Sequence, residues 1–329
     1  MAGMVNLGTL GGDYSYANGV SADGSVVVGS ANNVDENSRA FRWTEAGGMV
    51  DLGTLGDRPD SYANGVSADG STVVGTVWDV ATTNRAFRWT EAGGMVDLGT
   101  LGGLHSYANG VSADGSVVVG MALNASPAAR AFRWTEAGGM VDLGTLGGDD
   151  SYANGVSADG SVVVGVSKDA GGFNRAFRWT EAGGMVDLGT LGGAIASAFG
   201  VSADGSVVVG SANNVDENSR PFRWTAAGGM VDLGTLGGPT SYAYGVSADG
   251  SAVVGTAYTV DAGKPFRWFA VGGMLDLGTL GGAYGEAYGV AADGNVVVGY
   301  AATVGGLERA FRWTPGAFWT GLINCTEAV

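Results

Sequence analysis

Four tyrosines recur at nearly equal spacing and are the side chains best suited to hold a ligand. They are Tyr16, Tyr62, Tyr107 and Tyr152, each followed two positions later by an asparagine. A tyrosine joins a large apolar ring to a hydroxyl, a combination that suits small polar ligands. Packing and hydrogen bonding between repeats are the alternative role. Carboxylates fall in the stretches between them, and we predict Asp35, Asp150 and Asp216 as the acidic members of the ligand-binding set.

The remaining chemistry-bearing residues form no catalytic motif. The only histidine, His105, has no evident partner, and the only cysteine, Cys325, lies in an atypical tail. The sequence contains no HExxH or CxxC motif and no phosphate-binding loop. We therefore expect no catalytic residues, no cofactor and no enzymatic activity. Two alternatives stay open: calcium held by clustered carboxylates, and a hydrolase or lyase that uses a few carboxylates at the mouth of a channel.

The tyrosines belong to a repeat of about 45 residues that occurs seven times. Its most regular marker is a tryptophan, at positions 43, 89, 134, 179, 224, 268 and 313. Each unit predicts four short strands, which in the first unit are residues 16–22, 25–31, 39–44 and 49–55. Asp23-Gly24 predicts a type I′ turn between the first two strands.

Four strands per unit and seven units predict an all-β fold, a seven-bladed β-propeller with four antiparallel strands per blade. It forms a single domain over residues 1–329, with an atypical tail at 315–329. An open β-solenoid is the rival fold. The chain begins with a fourth-strand sequence, GMVNLGTLGG, that has no third strand before it. We expect Met4 to Leu10 to complete the last blade and close the ring, with Phe318 to Asn324 as the competing fourth strand.

Paired charges are expected between the third and fourth strands of each blade. If the EAGG turn pairs Thr44 with Met49, an arginine faces an aspartate in six blades, and opposite charges across a strand pair are stabilising. The predicted ion pairs are Arg42–Asp51, Arg88–Asp97, Arg133–Asp142, Arg178–Asp187, Arg223–Asp232 and Arg267–Asp276. In the closing blade Arg312 would face Asn6, so the pair lacks its carboxylate there.

The variable loops should lie together on one side of the disc, around the channel mouth. The ADGS and EAGG turns are nearly invariant, whereas both other sets of loops vary in sequence and are rich in acidic residues. The formal net charge of −16 argues against nucleic acid and anionic membranes as partners. No apolar run is long enough to span a membrane. We expect a monomer whose glycan or protein ligand the sequence does not identify.

The combination AFRWT, GGMVDLGTLGG and YANGVSADGSVVVG resembles the HAF repeat family of bacterial extracellular proteins, over Gly3 to about Thr314. The family is named for a His-Ala-Phe triplet, which here is mostly Arg-Ala-Phe. The resemblance implies an extracellular or cell-surface location, although no signal peptide is evident. The expected function is a non-enzymatic module that binds a glycan, protein or cation through its variable loops. A rigid building block of a larger surface or autotransported protein is the alternative.

Overall fold

The computed structural model describes residues 3–78 and 83–316, and over these residues the chain is a seven-bladed β-propeller without helices. Each blade is a sheet of four antiparallel strands, so the predicted fold is confirmed. Within the described residues there is no helix of the length and apolarity needed to cross a membrane.

Blades are numbered from the first complete sheet, with the innermost strand first. Blade 1 contains β2 (Gly11–Val20), β3 (Val26–Asn33), β4 (Ser38–Thr44) and β5 (Gly48–Asp51). Blade 2 contains β6 (Asp60–Val66), β7 (Thr72–Trp78), β8 (Arg85–Thr90) and β9 (Gly94–Asp97). Blade 3 contains β10 (Gly102–Val111), β11 (Val117–Asn124), β12 (Ala129–Thr135) and β13 (Gly139–Asp142). Blade 4 contains β14 (Gly147–Val156), β15 (Val162–Asp169), β16 (Asn174–Thr180) and β17 (Gly184–Asp187).

The remaining three blades follow the same plan. Blade 5 contains β18 (Gly192–Val201), β19 (Val207–Asn214), β20 (Ser219–Thr225) and β21 (Gly229–Asp232). Blade 6 contains β22 (Ser241–Val246), β23 (Ala252–Tyr258), β24 (Gly263–Phe269) and β25 (Gly273–Asp276). Blade 7 contains β26 (Gly281–Val290), β27 (Val297–Thr303), β28 (Glu308–Thr314) and, from the start of the chain, β1 (Gly3–Asn6).

The N-terminal strand closes the ring, as the sequence predicts. Strand β1 pairs antiparallel with β28, with Met4 opposite Trp313. Leu7 then donates its backbone N–H to Ala310 and is buried in the core between blades 7 and 1. Blade 7 therefore has its four strands from the described residues. The competing strand, Phe318 to Asn324, lies outside the described residues.

Apolar side chains fill each space between neighbouring blades. Seven phenylalanines of the third strands are fully buried, at positions 41, 87, 132, 177, 222, 266 and 311. Phe41 packs against Val298 and Ala310 of blade 7, while Ala40 on the other face of the same strand packs towards blade 2. The second strands are buried on both faces because each is covered by a blade on either side. The sequence pattern VVV predicts this double burial.

A closed ring of backbone hydrogen bonds joins the blades near the axis. The N–H of Ala22 donates to the carbonyl of Ala68 in the next blade, and each later blade repeats the bond. The last member, Ala292, donates back to Ala22 at 3.0 Å. The waist of the axial channel, about 200 Å³, is lined by a glycine and a valine from every blade. This apolar waist contains no chemically reactive side chain.

The ADGS turn differs from the predicted type I′ turn. Gly24 has positive φ, at +73°, but Asp23 does not, and a type I′ turn requires positive φ at both central residues. Gly24 donates its N–H to the Ser21 carbonyl, and Ser21 donates to Val26. The Asp23 carboxylate accepts bonds from the Ser21 and Ser25 hydroxyls, so the aspartate fixes a longer turn.

The predicted ion pairs are wrong by one residue of register. Thr44 pairs with Gly48 rather than Met49, because Gly48 adopts positive φ (+66°) and shortens the turn. As a result Asp51 lies opposite Phe41, and Arg42 lies opposite Val50. The same shift holds in the other blades. Arg88, Arg133, Arg178, Arg223, Arg267 and Arg312 face Val96, Val141, Val186, Val231, Leu275 and Val5.

The third strands therefore contain two sets of arginines that make different contacts. The aspartates pair with the arginine three positions earlier on the third strand, in Arg39–Asp51, Arg85–Asp97, Arg130–Asp142, Arg175–Asp187 and Arg220–Asp232, at N–O distances of 3.0–4.0 Å. The Arg42 set instead donates from Nε to the carbonyl of the ADGS glycine in the next blade. Arg42 reaches Gly70 at 3.0 Å, and Arg88, Arg133, Arg178, Arg223 and Arg312 make the equivalent bond.

Every innermost strand contains a β-bulge that the sequence pattern does not reveal. In blade 1, Ala17 pairs with Gly29 and Gly19 with Val28, so Asn18 is the extra residue. A bulge turns its extra side chain away from the normal alternation. In blades 1–4 this residue is asparagine, and its amide donates to a carbonyl of the next blade, as Asn18 does to Ala63 at 2.8 Å. In blades 5–7 the bulge residue is Phe199, Tyr244 or Tyr288.

Candidate functional site

Two glutamates stand where the other blades carry no acid. Glu286 occupies the innermost-strand position that holds Tyr16 in blade 1, and it lies opposite Tyr300 across the strand pair. Glu308 begins the third strand of blade 7, where blade 1 has Ser38. Both acids belong to blade 7 and lie on the side of the disc that carries the variable loops. Glu308 faces blade 1, and Glu286 faces blade 6. The repeat is therefore broken in blade 7.

Tyrosine hydroxyls surround both carboxylates. Glu308 accepts a hydrogen bond from Tyr284 at 2.9 Å and a shorter one from Tyr16 of blade 1. Glu286 accepts from Tyr288 at 2.8 Å. The ring of Tyr300 lies between the two groups, with its centroid 5.2 Å from that of Tyr16 and 6.0 Å from that of Tyr288. We call this set the seam site: Tyr16, Tyr284, Glu286, Tyr288, Tyr300 and Glu308.

A cavity of about 320 Å³ opens beside the seam site, between blades 6 and 7. Glu286, Tyr284 and Tyr300 line one side, and Tyr258 and Asp261 of blade 6 line the other. Such a volume is of the size that accepts a small ligand. A carboxylate and several phenols thus face a space that a substrate can enter.

The surroundings keep the tyrosines of the seam site protonated. Burial, followed by the hydrogen bond to Glu308, raises the pKa of the Tyr16 hydroxyl well above its usual value. For Tyr284 the bond to Glu308 is the main cause of a raised pKa. Burial and then the negative charge of Glu286 raise the pKa values of Tyr288 and Tyr300. The tyrosines therefore stay protonated and donate hydrogen bonds, which the carboxylates accept.

Two basic residues next to the seam site are free of the ion pair that other blades make. In blade 6 Lys264 replaces the arginine, and within the described residues no ion pair joins it to Asp276. Its Nζ donates instead to the carbonyl of Ala283, the neighbour of Tyr284, at 2.7 Å. In blade 7 the position of that aspartate is occupied by Asn6, and Arg309 donates a hydrogen bond to the Asp13 carbonyl instead. Positive charge is thus available on both sides of the seam site.

Of the four tyrosines predicted as ligand contacts, the structure brings only Tyr16 into the seam site. Tyr62 packs edge-on against Trp78 of its own blade, and Tyr107 accepts a bond from Asn84 at 2.7 Å. Tyr152 lies beside Asp150, and burial raises its pKa. Because each blade places its tyrosine over its own sector of the ring, the four side chains do not converge on one ligand.

The three predicted carboxylates lie apart from the seam site. Asp35 and Asp216 stand in equivalent exposed turns of blades 1 and 5, where each donates its backbone N–H to an asparagine side chain. Asp150 forms an ion pair with Lys168 at 2.6 Å, and that bond is the main cause of its lowered pKa. Their partners are asparagine and lysine side chains, and not the tyrosine hydroxyls that bond to Glu286 and Glu308.

The sequence contains a signal for the residues that the prediction omits. Glu286 occupies a position of the innermost strand that is tyrosine or serine in the other blades. Tyr300 occupies a position of the second strand that is not aromatic in any other blade. Glu308 is the last residue of a variable loop. Because these loops differ in sequence, they cannot be aligned residue by residue, and the acid does not stand out. The break in the repeat is visible, but its meaning depends on ring closure, which brings Tyr16 to Glu308.

No group of three or more histidine, cysteine, aspartate or glutamate side chains within residues 3–78 and 83–316 is arranged to hold a metal ion. The donors of the seam site are two carboxylates surrounded by phenols, and the phenols are held protonated. These residues do not fit a metal centre, and no chemical step is assigned to a metal here.

Solved structures with the same fold cover almost the whole chain. An oligogalacturonate lyase from Vibrio parahaemolyticus matches with a TM-score of 0.68 and 12% identity, over 96% of this chain and 94% of that one. Virginiamycin B lyase from Staphylococcus aureus matches with a TM-score of 0.60 and 15% identity, over 95% and 99%. The β-propeller domain of the trilobed protease from Pyrococcus furiosus, with an open velcro topology, matches at 0.57 and 11%, over 91% and 95%.

No family model and no curated protein matches the sequence. The expectation of a non-enzymatic surface module or building block is corrected here: propellers of this fold and extent include two lyases, so the fold does not indicate a non-enzymatic role. At 11–15% identity these likenesses show the fold alone. The chain is thus similar to β-propellers that include lyases, and its own activity is to be argued from the seam site.

Proposed function

We propose that the chain is a carbohydrate lyase whose active site is the seam site. The observation that carries the proposal is the position of Glu286 and Glu308, acids that interrupt the repeat and meet protonated tyrosines beside a cavity. A repeated structural motif would occur in every blade. Among residues 3–78 and 83–316 this arrangement of groups occurs only around blade 7, as a site acting on one substrate requires.

A carboxylate and a phenol supply the two proton transfers that an elimination needs. Glu286 lines the cavity and accepts the proton from the carbon next to the sugar carboxylate. The C–H electron pair forms a C=C bond as the bond from the neighbouring carbon to the glycosidic oxygen breaks. The hydroxyl of Tyr284 or Tyr300 protonates the departing oxygen. The proton on Glu286 then passes to the tyrosinate, so both side chains return to their starting states.

The charge around the site supports an acidic sugar as the substrate. Proton removal next to a carboxylate is easier when a cation balances that negative charge. Lys264 and Arg309 supply positive charge on the two sides of the seam site and are not held by the ion pairs of other blades. The printed substrate of one lyase of the same fold, oligogalacturonate, is a sugar acid of this class.

The test is a cleavage assay with oligogalacturonate and other uronate-containing oligosaccharides. Elimination creates a C=C bond conjugated to a carboxylate, and its ultraviolet absorbance reports the reaction. We expect turnover by the native chain and a loss of at least about 100-fold in the Glu286→Gln variant, the usual size of a lost proton-transfer group. Asp35→Asn is the matched control, because Asp35 is an exposed acid of a regular blade.

Hydrolysis is a second candidate because glycosidases commonly use two carboxylates. The same reaction mixture separates the two reactions, since hydrolysis yields new reducing ends without the double bond. Release of reducing ends alone, lost on substitution of Glu286 or Glu308, would replace the lyase assignment by a hydrolase. Absence of both products across the acidic sugars would overturn the proposed function.

A further inference from the structure

The bulge residues of blades 5–7 form a continuous aromatic surface that leads to the seam site. The ring centroids of Phe199 and Tyr244 are 5.5 Å apart, and those of Tyr244 and Tyr288 are 5.2 Å apart. The next ring is Tyr300 of the seam site, 6.0 Å from Tyr288. We call Phe199, Tyr244 and Tyr288 the aromatic arc. Each of these side chains is partly exposed.

The arc occupies one side of the channel mouth only. In blades 1–4 the same bulge position is asparagine, and its amide is used to join the next blade. Phe199 has no side-chain group that could make that bond. The rings of Phe199, Tyr244 and Tyr288 contact one another instead. Tyr242 adds a parallel ring 6.2 Å from Tyr244, and Tyr258 of the cavity wall lies 6.3 Å from Tyr242. Aromatic rings therefore connect the cavity with blade 5.

We infer that the aromatic arc is a row of subsites for further sugar residues, so that the substrate is an oligosaccharide chain running from the seam site over blades 6 and 5. This inference rests on the proposed function. The apolar faces of pyranose rings stack on aromatic side chains, and the centroid spacing is comparable with the length of one sugar residue. Tyr244 and Tyr288 also carry hydroxyls that suit the polar edge of such a chain.

The experiment compares long and short acidic oligosaccharides with the variant Phe199→Asn. Asparagine is the residue that blades 1–4 carry at this bulge, so the fold accepts the substitution. We expect KM for the long chain to rise about tenfold, the factor for losing one stacking contact, while kcat and the KM for a disaccharide stay unchanged. Asn109→Ala, at the same bulge of blade 3, is the matched control and should leave both KM values unchanged.

The outcomes separate this inference from the proposed function. Turnover that depends on Glu286 but shows no length-dependent effect of Phe199→Asn would overturn the subsites and leave the lyase assignment in place. Calorimetric titration of the Glu286→Gln variant with the long oligosaccharide tests the arc without turnover. Binding that weakens with the added Phe199→Asn change supports the arc even if no sugar is cleaved. Binding that is equal in the two variants, or absent in both, would overturn it.

Discussion

Blades 2–4 and the seam site around blade 7 are built from the same kinds of strand but use their polar residues differently. In blades 2–4 the polar side chains join neighbouring blades, as Asn109 does to Ala153 and Arg133 does to Gly160. At the seam site, Glu308 accepts hydrogen bonds from Tyr16 and Tyr284, and Glu286, which lines the cavity, accepts one from Tyr288. The regular blades therefore supply rigidity, and the departures from the repeat supply reactive groups. Ring closure brings the two sides of the seam site together.

The strongest test of this comparison is removal of the closing strand. We expect deletion of residues 1–12 to destabilise the protein by more than about 3 kcal/mol, because it removes the β1–β28 pairing and the buried side chain of Leu7. Thermal and urea unfolding measure the change. Val5→Ala is the control, since Val5 is exposed on the same strand. A deletion no more harmful than Val5→Ala would contradict closure by β1.

Single substitutions compare packing at the junction of blades 7 and 1 with packing at a junction between regular blades. Leu7 and Leu98 occupy equivalent positions and are exposed to 8% and 7%. If the junction packs as well as the other blades, Leu7→Ala and Leu98→Ala should each cost about 2–5 kcal/mol. A much smaller loss for Leu7→Ala, measured by urea unfolding, would mean that the ring opens at the junction before the rest unfolds.

The two sets of arginines should differ in their contribution to stability. Arg133 joins blade 3 to blade 4 through a half-buried bond to Gly160, and its replacement by methionine should cost about 1.5–3 kcal/mol. Arg130 and Asp142 form a solvent-screened pair at 3.7 Å, and a double-mutant cycle should give at most about 1 kcal/mol of coupling. Equal losses from Arg133→Met and Arg130→Met would contradict the separate roles.

The two kinds of bulge residue should also respond differently to exchange. Asn154→Ala removes the amide bond to Ala198 and should cost about 1 kcal/mol in unfolding free energy. Phe199→Asn should leave the melting temperature almost unchanged, because asparagine can make the bond that phenylalanine lacks. A large drop on Phe199→Asn would show that this ring is needed for packing rather than for a ligand.

The smallest effect concerns the ADGS turns at low pH. The Ser112 hydroxyl, followed by the backbone N–H and hydroxyl of Ser116, lowers the pKa of Asp114 to about 2. Because the folded pKa lies below the unfolded value, this stabilisation is complete above about pH 4 and is lost as the pH falls towards 2. Asp114→Asn should therefore remove a small part of the fall in melting temperature over that range, because the equivalent aspartates of other blades remain. Ser112→Ala is the comparison, because it removes the first cause of the lowered pKa and should act in the same direction. An unchanged pH dependence in both variants would contradict the role of this turn.

The blades were predictable from the sequence, whereas the seam site was not. Regular spacing of Trp43 and its counterparts defines the units, and the orphan N-terminal strand predicts closure. The arginine register was missed because the positive φ of Gly48 shortens a turn by one residue, which moves every partner. The bulge at Asn18 was missed because strand alternation conceals an extra residue. Tyr16 was predicted to bind a ligand, but its partner Glu308 lies at the other end of the chain.

Ring closure by β1 also has a consequence for the order of folding. Contacts between blades 1 and 2 join residues only 21 and 28 positions apart, as from Ala40 to Ser61 and from Arg42 to Gly70. The contact between Ala310 and Ser15 joins residues 295 positions apart. Contacts between distant residues form slowly, because bringing the two ends together costs more chain entropy. The last interface to assemble is therefore the one that places Tyr16 against Glu308, and a refolding chain would regain its stacked blades before its seam site.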